Sequence, residues 1–121
     1  MPHTSLAGEQ VEPRVKLWLE RDGRIVMSAY RLRLLARVAE TGSLAEAAAQ
    51  MGLSYRRAWG KVKELERNLG LSLVESAAGG PGGGHTRITA EGEEILRRFA
   101  AFQAAVEVAT ASAYNQVFPD P

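Results

Sequence analysis

Glu40-Thr41-Gly42-Ser43-Leu44-Ala45-Glu46-Ala47-Ala48-Ala49-Gln50-Met51-Gly52-Leu53-Ser54-Tyr55-Arg56-Arg57-Ala58-Trp59 holds two helix stops and two helix starts in close succession. Thr41-Gly42 ends one helix, because glycine takes up the left-handed conformation that commonly closes a helix. Ser43-Leu44-Ala45-Glu46 opens the next as a capping box, Ser43 and Glu46 each able to satisfy the other's free amide. Leu44, Ala47, Ala48 and Met51 then recur at i, i+3, i+4 and i+7, one apolar stripe of mostly small side chains. Gly52 closes this short helix, Leu53 fills the turn, and Ser54 caps a third helix that runs to about Leu69 and stops at Gly70.

The third helix has two faces. Ala58, Val62, Leu65 and Leu69 form a buried stripe, and at about 100° per residue Arg56, Gly60, Lys63 and Arg67 fall opposite. Tyr55 and Trp59 flank the stripe. The wheel leaves Tyr55 open between core and surface, and places Trp59 as a structural residue. Between Ser54 and Lys63 there are four cations and no acid, although the whole chain carries a net charge of only +1. A near-neutral chain with one local basic face suits a regulator better than a general nucleic-acid coat.

Working outward, Ser28 caps a first helix to about Glu40, with Leu34, Leu35 and Val38 on its inner side. Before it, Arg14 to Met27 reads as a β-hairpin, with Val15, Leu17 and Leu19 alternating with polar or bulky neighbours and Asp22-Gly23 at the turn. After the third helix, Leu71 to Glu75 reads as a strand and His85 to Thr89 as its return. Between them Ala77 to Gly84 is a glycine-rich loop. Thr89 then caps a long last helix, in which Ile95, Phe99, Phe102, Val106, Ala109 and Ala113 recur at alternating spacings of four and three, the seam of a helix packed on a helix.

Helix, glycine turn, basic-faced helix and wing in this order make an α+β, mainly α, fold: a winged helix-turn-helix with an N-terminal β-hairpin and a long C-terminal dimerisation helix. The domain spans residues 14–115, with a flexible tail at 1–13 and another at 116–121. At 121 residues the chain has room for one core. Without cysteine it has no disulfide or thiolate metal site. It shows neither a signal pattern nor an apolar run long enough to span a bilayer, so a cytoplasmic protein is expected. His3 and His85 are the only histidines and stand far apart in sequence. No nucleophile–base pair or cofactor loop accompanies them, so neither an enzyme nor a metal or cofactor site is expected.

The run Glu40 to Ala48 followed by Met51-Gly52-Leu53-Ser54-Tyr55-Arg56-Arg57-Ala58-Trp59 resembles the N-terminal domain of the molybdate-responsive (ModE) regulators, itself related to the LysR-type winged helix. Leu73-Val74-Glu75, then Gly79-Gly80-Pro81-Gly82-Gly83-Gly84-His85-Thr86-Arg87-Ile88-Thr89 and Gly92, is similar to that family's wing. The resemblance covers roughly residues 14–115 and implies a bacterial-type transcription regulator that binds a palindromic operator on double-stranded DNA as a homodimer. Family members that sense molybdate carry oxyanion-binding domains after this one, and the sequence ends at Pro121. Constitutive action, a separate effector-sensing protein and another effector are the routes left open.

The residues expected to meet DNA are Ser54, Tyr55, Arg56 and Arg57 in the first turn of the recognition helix, where arginine can bond guanine twice. Lys61 and Lys63 are expected on phosphate. His85, Thr86 and Arg87 stand at the base of the wing, and Arg87 is the best placed of them for the backbone. Ser43 can receive a phosphate at its helix N-terminus or serve only as a cap. Gly60 marks either a close backbone approach or a plain surface glycine, and the wing glycines either cradle phosphates or form a flexible tip. The seam of Phe99, Phe102, Val106, Ala109 and Ala113 is assigned to the dimer, with Ile95, Leu96 and Phe99 partly serving their own domain. Two other readings compete: a nonspecific architectural DNA-binding protein and a winged-helix protein-interaction module.

Overall fold

The computed structural model describes residues 11–77 and 85–119. The elements in chain order are β1 (Trp18–Arg21), β2 (Arg24–Ser28), α1 (Ala29–Thr41), α2 (Leu44–Gln50), α3 (Tyr55–Leu69), β3 (Val74–Ala77), β4 (His85–Ile88) and α4 (Ala90–Val117). The winged helix-turn-helix is thus present, with a two-stranded antiparallel hairpin at each end of the three-helix core. The glycine-rich tip of the wing, at 78–84, lies outside the described residues, as do residues 1–10 of the N-terminal tail.

Each of the four helix starts is fixed by a hydroxyl. The Oγ atoms of Ser28, Ser43 and Ser54, and Oγ1 of Thr89, accept from the amides of Arg31, Glu46, Arg57 and Gly92. Such a cap is worth about 1 kcal/mol. Half of the expected capping box is absent. The Ser43 amide donates instead to Oγ1 of Thr41 at 3.1 Å, which leaves Glu46 exposed and unneeded. Thr41 is close enough because Gly42 turns the chain at φ 70°.

Both hairpins are shorter or shifted relative to the sequence reading, for identifiable reasons. β1 starts at Trp18 and not Arg14, because its partner strand ends at Ser28, which pairs with Trp18. Beyond Ser28 the chain turns into α1, and only the Leu17 carbonyl finds a partner there, the Ala29 amide at 3.2 Å. β3 starts at Val74 and not Leu71, because Leu73 is fully buried and the amides of Leu73 and Val74 are taken by the Glu66 carboxylate. Thr89 leaves β4 to cap α4.

The core lies where α1, α2 and α3 meet the two hairpins and the start of α4. Met27, Leu34, Leu35, Val38, Leu44, Val62, Leu65 and Leu73 are buried, and Ala47, Ala48 and Ala58 sit among them. These alanines let α2 and α3 cross closely, which turns the opposite face of α3 outward. Phe99 also belongs to this core, at 3% exposure. This is the part in its own domain that the sequence reading gave it, and the same residue lines the hollow between the first hairpin and α4.

Gly92, in the first turn of α4, is buried against the wing. A Cβ there would lie 2.7 Å from the Leu73 carbonyl oxygen and 2.8 Å from Cγ2 of Ile88. The Leu73 oxygen cannot retreat easily, since it accepts the Thr89 amide. Gly92→Ala gains about 1 kcal/mol of helix propensity and loses about 1–3 kcal/mol to overpacking. A net loss of stability, seen as a lower midpoint in urea, is expected.

Candidate nucleic-acid interface

The outward face of α3 begins at Ser54, whose Oγ accepts the Arg57 amide at 3.2 Å. Tyr55, Arg56 and Arg57 in the first turn are all exposed. Among the described residues no carboxylate lies within ion-pair distance of Arg56 or Arg57. The other charged groups of the motif are largely engaged inside the protein. Arg31 on α1 meets Glu64 on α3 at 2.8 Å. Lys61 sits 5.3 Å from the Tyr30 ring centroid, with Arg33 at 5.6 Å from the same ring. Lys63 pairs with Glu66 at 3.0 Å and lies 5.4 Å from the Trp59 ring. Lys61 and Lys63, equivalent in the sequence reading, therefore point to opposite flanks of α3, one toward α1 and one toward the wing.

Trp59 departs from its expected structural role. It is 47% exposed, as Tyr55 is at 55%, and the α3 side chain that holds the wing, Glu66, stands two turns further along. Composition held a signal for this: a tryptophan at i+4 from a tyrosine on a helix whose buried stripe is already complete. Gly60 beside it has no atom of the described residues within 4 Å of where a Cβ would stand. Open space there fits both readings of Gly60, a plain surface glycine and a site of approach from outside the domain.

Glu66 fastens the wing to this helix. Its carboxylate accepts the Leu73 amide at 2.8 Å and the Val74 amide at 3.2 Å while holding Lys63. Burial pushes its carboxyl up, but these two amides and Lys63 outweigh it, and the net shift is downward. On the other side the Thr86 amide donates to the Gly42 carbonyl at 2.9 Å, so the backbone of Thr86 anchors the wing. Exposed Arg87 faces Glu75 across the wing at 3.9 Å, a solvent-screened pair that leaves it largely available. His85 is exposed at the end of β4. Ser43 caps α2, its Oγ accepting the Glu46 amide at 3.0 Å, while its hydroxyl hydrogen remains to donate.

Sequence reasoning missed a second support of α3. Arg21, from the first hairpin, donates to the carbonyls of Asn68 and Leu69 at 3.1 and 3.5 Å. In return Nδ2 of Asn68 donates to the Ile25 carbonyl at 2.8 Å. A cation at a helix C-terminus satisfies free carbonyls and complements the dipole. Recognition helix, first hairpin and wing are thus tied together.

These elements define a winged helix-turn-helix protein that presents a basic helix to the outside. A model of the bacterial regulatory helix-turn-helix proteins of the lysR family matches residues 30–93, from α1 through the wing, and the chain belongs to that family. The molybdenum-pterin-binding protein MopB of Rhodobacter capsulatus is 37% identical over 103 residues, which are 85% of this chain and 38% of MopB. The transcriptional regulator ModE of Yersinia pestis is 30% identical over 89 residues, 74% of this chain and 34% of ModE. The chain thus spans little more than a third of the length of these relatives, and the likeness to the ModE regulators read from the sequence holds. Among solved structures, that of the CbnR DNA-binding domain in complex with DNA matches with a TM-score of 0.56 at 27% identity, covering 72% of this chain and 98% of that one. Among the described residues, no helix is long and apolar enough to cross a membrane.

Proposed function

We propose that the protein is a sequence-specific DNA-binding transcription regulator that reads an inverted-repeat operator as a homodimer. The observation that carries this is the unpaired state of Arg56 and Arg57 among the described residues, in the exposed first turn of α3, where Lys61, Lys63, Glu64 and Glu66 further along the helix are engaged within the domain. A guanidinium there can bond the O6 and N7 of guanine, while Lys61, Lys63 and Arg87 meet phosphate on either side. The family membership and the DNA complex of CbnR support the same role. The dimer is supported by an apolar hollow of about 340 Å³ between the first hairpin and α4, lined by Leu19, Val26, Leu69, Ile95 and Phe102 among others. Phe102 is 45% exposed beside it, and Val106, Ala109 and Ala113 continue the stripe along α4.

Selection of bound duplexes from a random pool, at about 150 mM salt to screen phosphate attraction, tests the proposal. One enriched inverted repeat is the expected result. Binding without enrichment would make the protein architectural, its affinity set by phosphate contacts alone. Absence of binding would favour a protein-interaction module. On the selected operator, Arg56→Ala is expected to weaken binding by about 1–3 kcal/mol and to relax preference at one base pair per half-site. Fluorescence-anisotropy titrations against operators mutated at each position read both effects.

A further inference from the structure

The outward face of α3 also carries apolar surface that phosphate and guanine contacts do not use. Tyr55 and Trp59 stand at i and i+4, neighbours on one ridge of the helix. They remain 55% and 47% exposed. The Trp59 indole N–H makes no hydrogen bond to the described residues, and one side of the ring is shared with the Lys63 ammonium. The next position, Gly60, is empty space. The result is a flat aromatic plate beside a gap, framed by the cations Arg56, Lys63 and Arg67.

A cationic frame selects an anionic partner, and a plate within it requires that partner to offer an apolar group at its reading surface. In the major groove of DNA only thymine does so, through its C5 methyl. We propose that Trp59 is a specificity-determining residue whose indole packs on a thymine methyl, the gap at Gly60 letting the α3 backbone come close enough for the contact. This rests on the DNA-reading role proposed above. The arginines then specify guanine by hydrogen bonds, and Trp59 specifies thymine by apolar contact, so that one helix face reads two kinds of base pair.

Single replacement of each operator thymine by deoxyuridine deletes the methyl and nothing else. With the wild-type protein, one thymine per half-site is expected to show a loss of roughly fourfold, the factor that burial of one hydrocarbon group supplies. Trp59→Ala is expected to bind the thymine and deoxyuridine operators equally, and Trp59→Leu, which keeps an apolar side chain for the core's neighbourhood, to show a reduced difference. Operator binding by the wild type that is indifferent to every methyl overturns this inference and leaves the DNA-reading role standing. A methyl effect that persists undiminished in both variants assigns the contact elsewhere and also overturns it. If the wild-type protein binds no duplex, the DNA-reading role itself fails and takes the inference with it.

Discussion

Glu66→Ala is expected to cost the domain about 2–4 kcal/mol, because it strips the partner from two amides at the entrance of the wing, each worth about 1–3 kcal/mol when left unsatisfied. The carboxylate is 11% exposed, so water replaces it poorly at the Leu73 and Val74 amides. Against a total of about 5–15 kcal/mol for a domain of this kind, the loss moves the urea midpoint well clear of error. Glu66→Gln keeps one carbonyl acceptor for the amides and gives up the charge toward Lys63, so it falls between the two. The pH dependence identifies the cause. The folded-state carboxyl of Glu66 lies below its ordinary value of 4.5, so its contribution is fully present above that value and is lost as pH falls through the lowered one. Acidification from 5 toward 3 (about the range in which ordinary carboxylates titrate) should therefore destabilise the wild type more than Glu66→Ala. The gap between the two stability curves narrows at the acid end. Glu94, which Arg97 and Arg98 also hold below the ordinary value, titrates in both proteins and cancels from the difference. Parallel curves would mean that the Glu66 charge contributes nothing to the wing.

What the sequence made legible was what local chemistry decides. Ser28, Ser43, Ser54 and Thr89 each bond the amide three residues on, a geometry contained in four consecutive residues. The buried stripes of α1, α2 and α3 follow from the helical repeat alone. What stayed illegible depends on which distant segment arrives at a given flank. The Arg21 bond to Asn68 spans 47 residues and the Arg31 bond to Glu64 spans 33, and no periodicity announces either. Trp59 is the sharpest case. The wheel sets it beside the buried stripe as a structural residue, yet it is 47% exposed, because which segments reach that flank of α3 is not written in the helical repeat. Phe99 and Phe102 show the same limit, since adjacent positions of one seam go to different fates: the first is buried in the domain's own core, the second is left half-open.

That half-open ring carries the other large effect. Phe102→Asp is expected to leave the isolated protomer folded, because the side chain is already 45% exposed and the core ends at Phe99. In the proposed dimer the same position fills the hollow beside Leu19, Val26 and Leu69, and two-fold symmetry places it twice in one interface. An aspartate there brings two charges into a mostly apolar hollow whose lining cation, Arg98, is already paired with Glu94, which costs several kcal/mol each in such a site. Sedimentation equilibrium at micromolar protein should show the mass falling from dimer toward monomer, with an unchanged helical circular dichroism spectrum. Operator affinity should fall by about 10²–10⁴-fold, because the second half-site is no longer held at high effective concentration by the first. Binding to a single half-site should hardly change, since Arg56 and Arg57 remain in place on α3. A variant that stays dimeric would move the interface away from this hollow. Loss of half-site binding as well would mean that Phe102 supports the fold of the recognition helix and not its pairing. The comparison of full and half operators therefore separates assembly from reading, the two tasks assigned to α4 and α3.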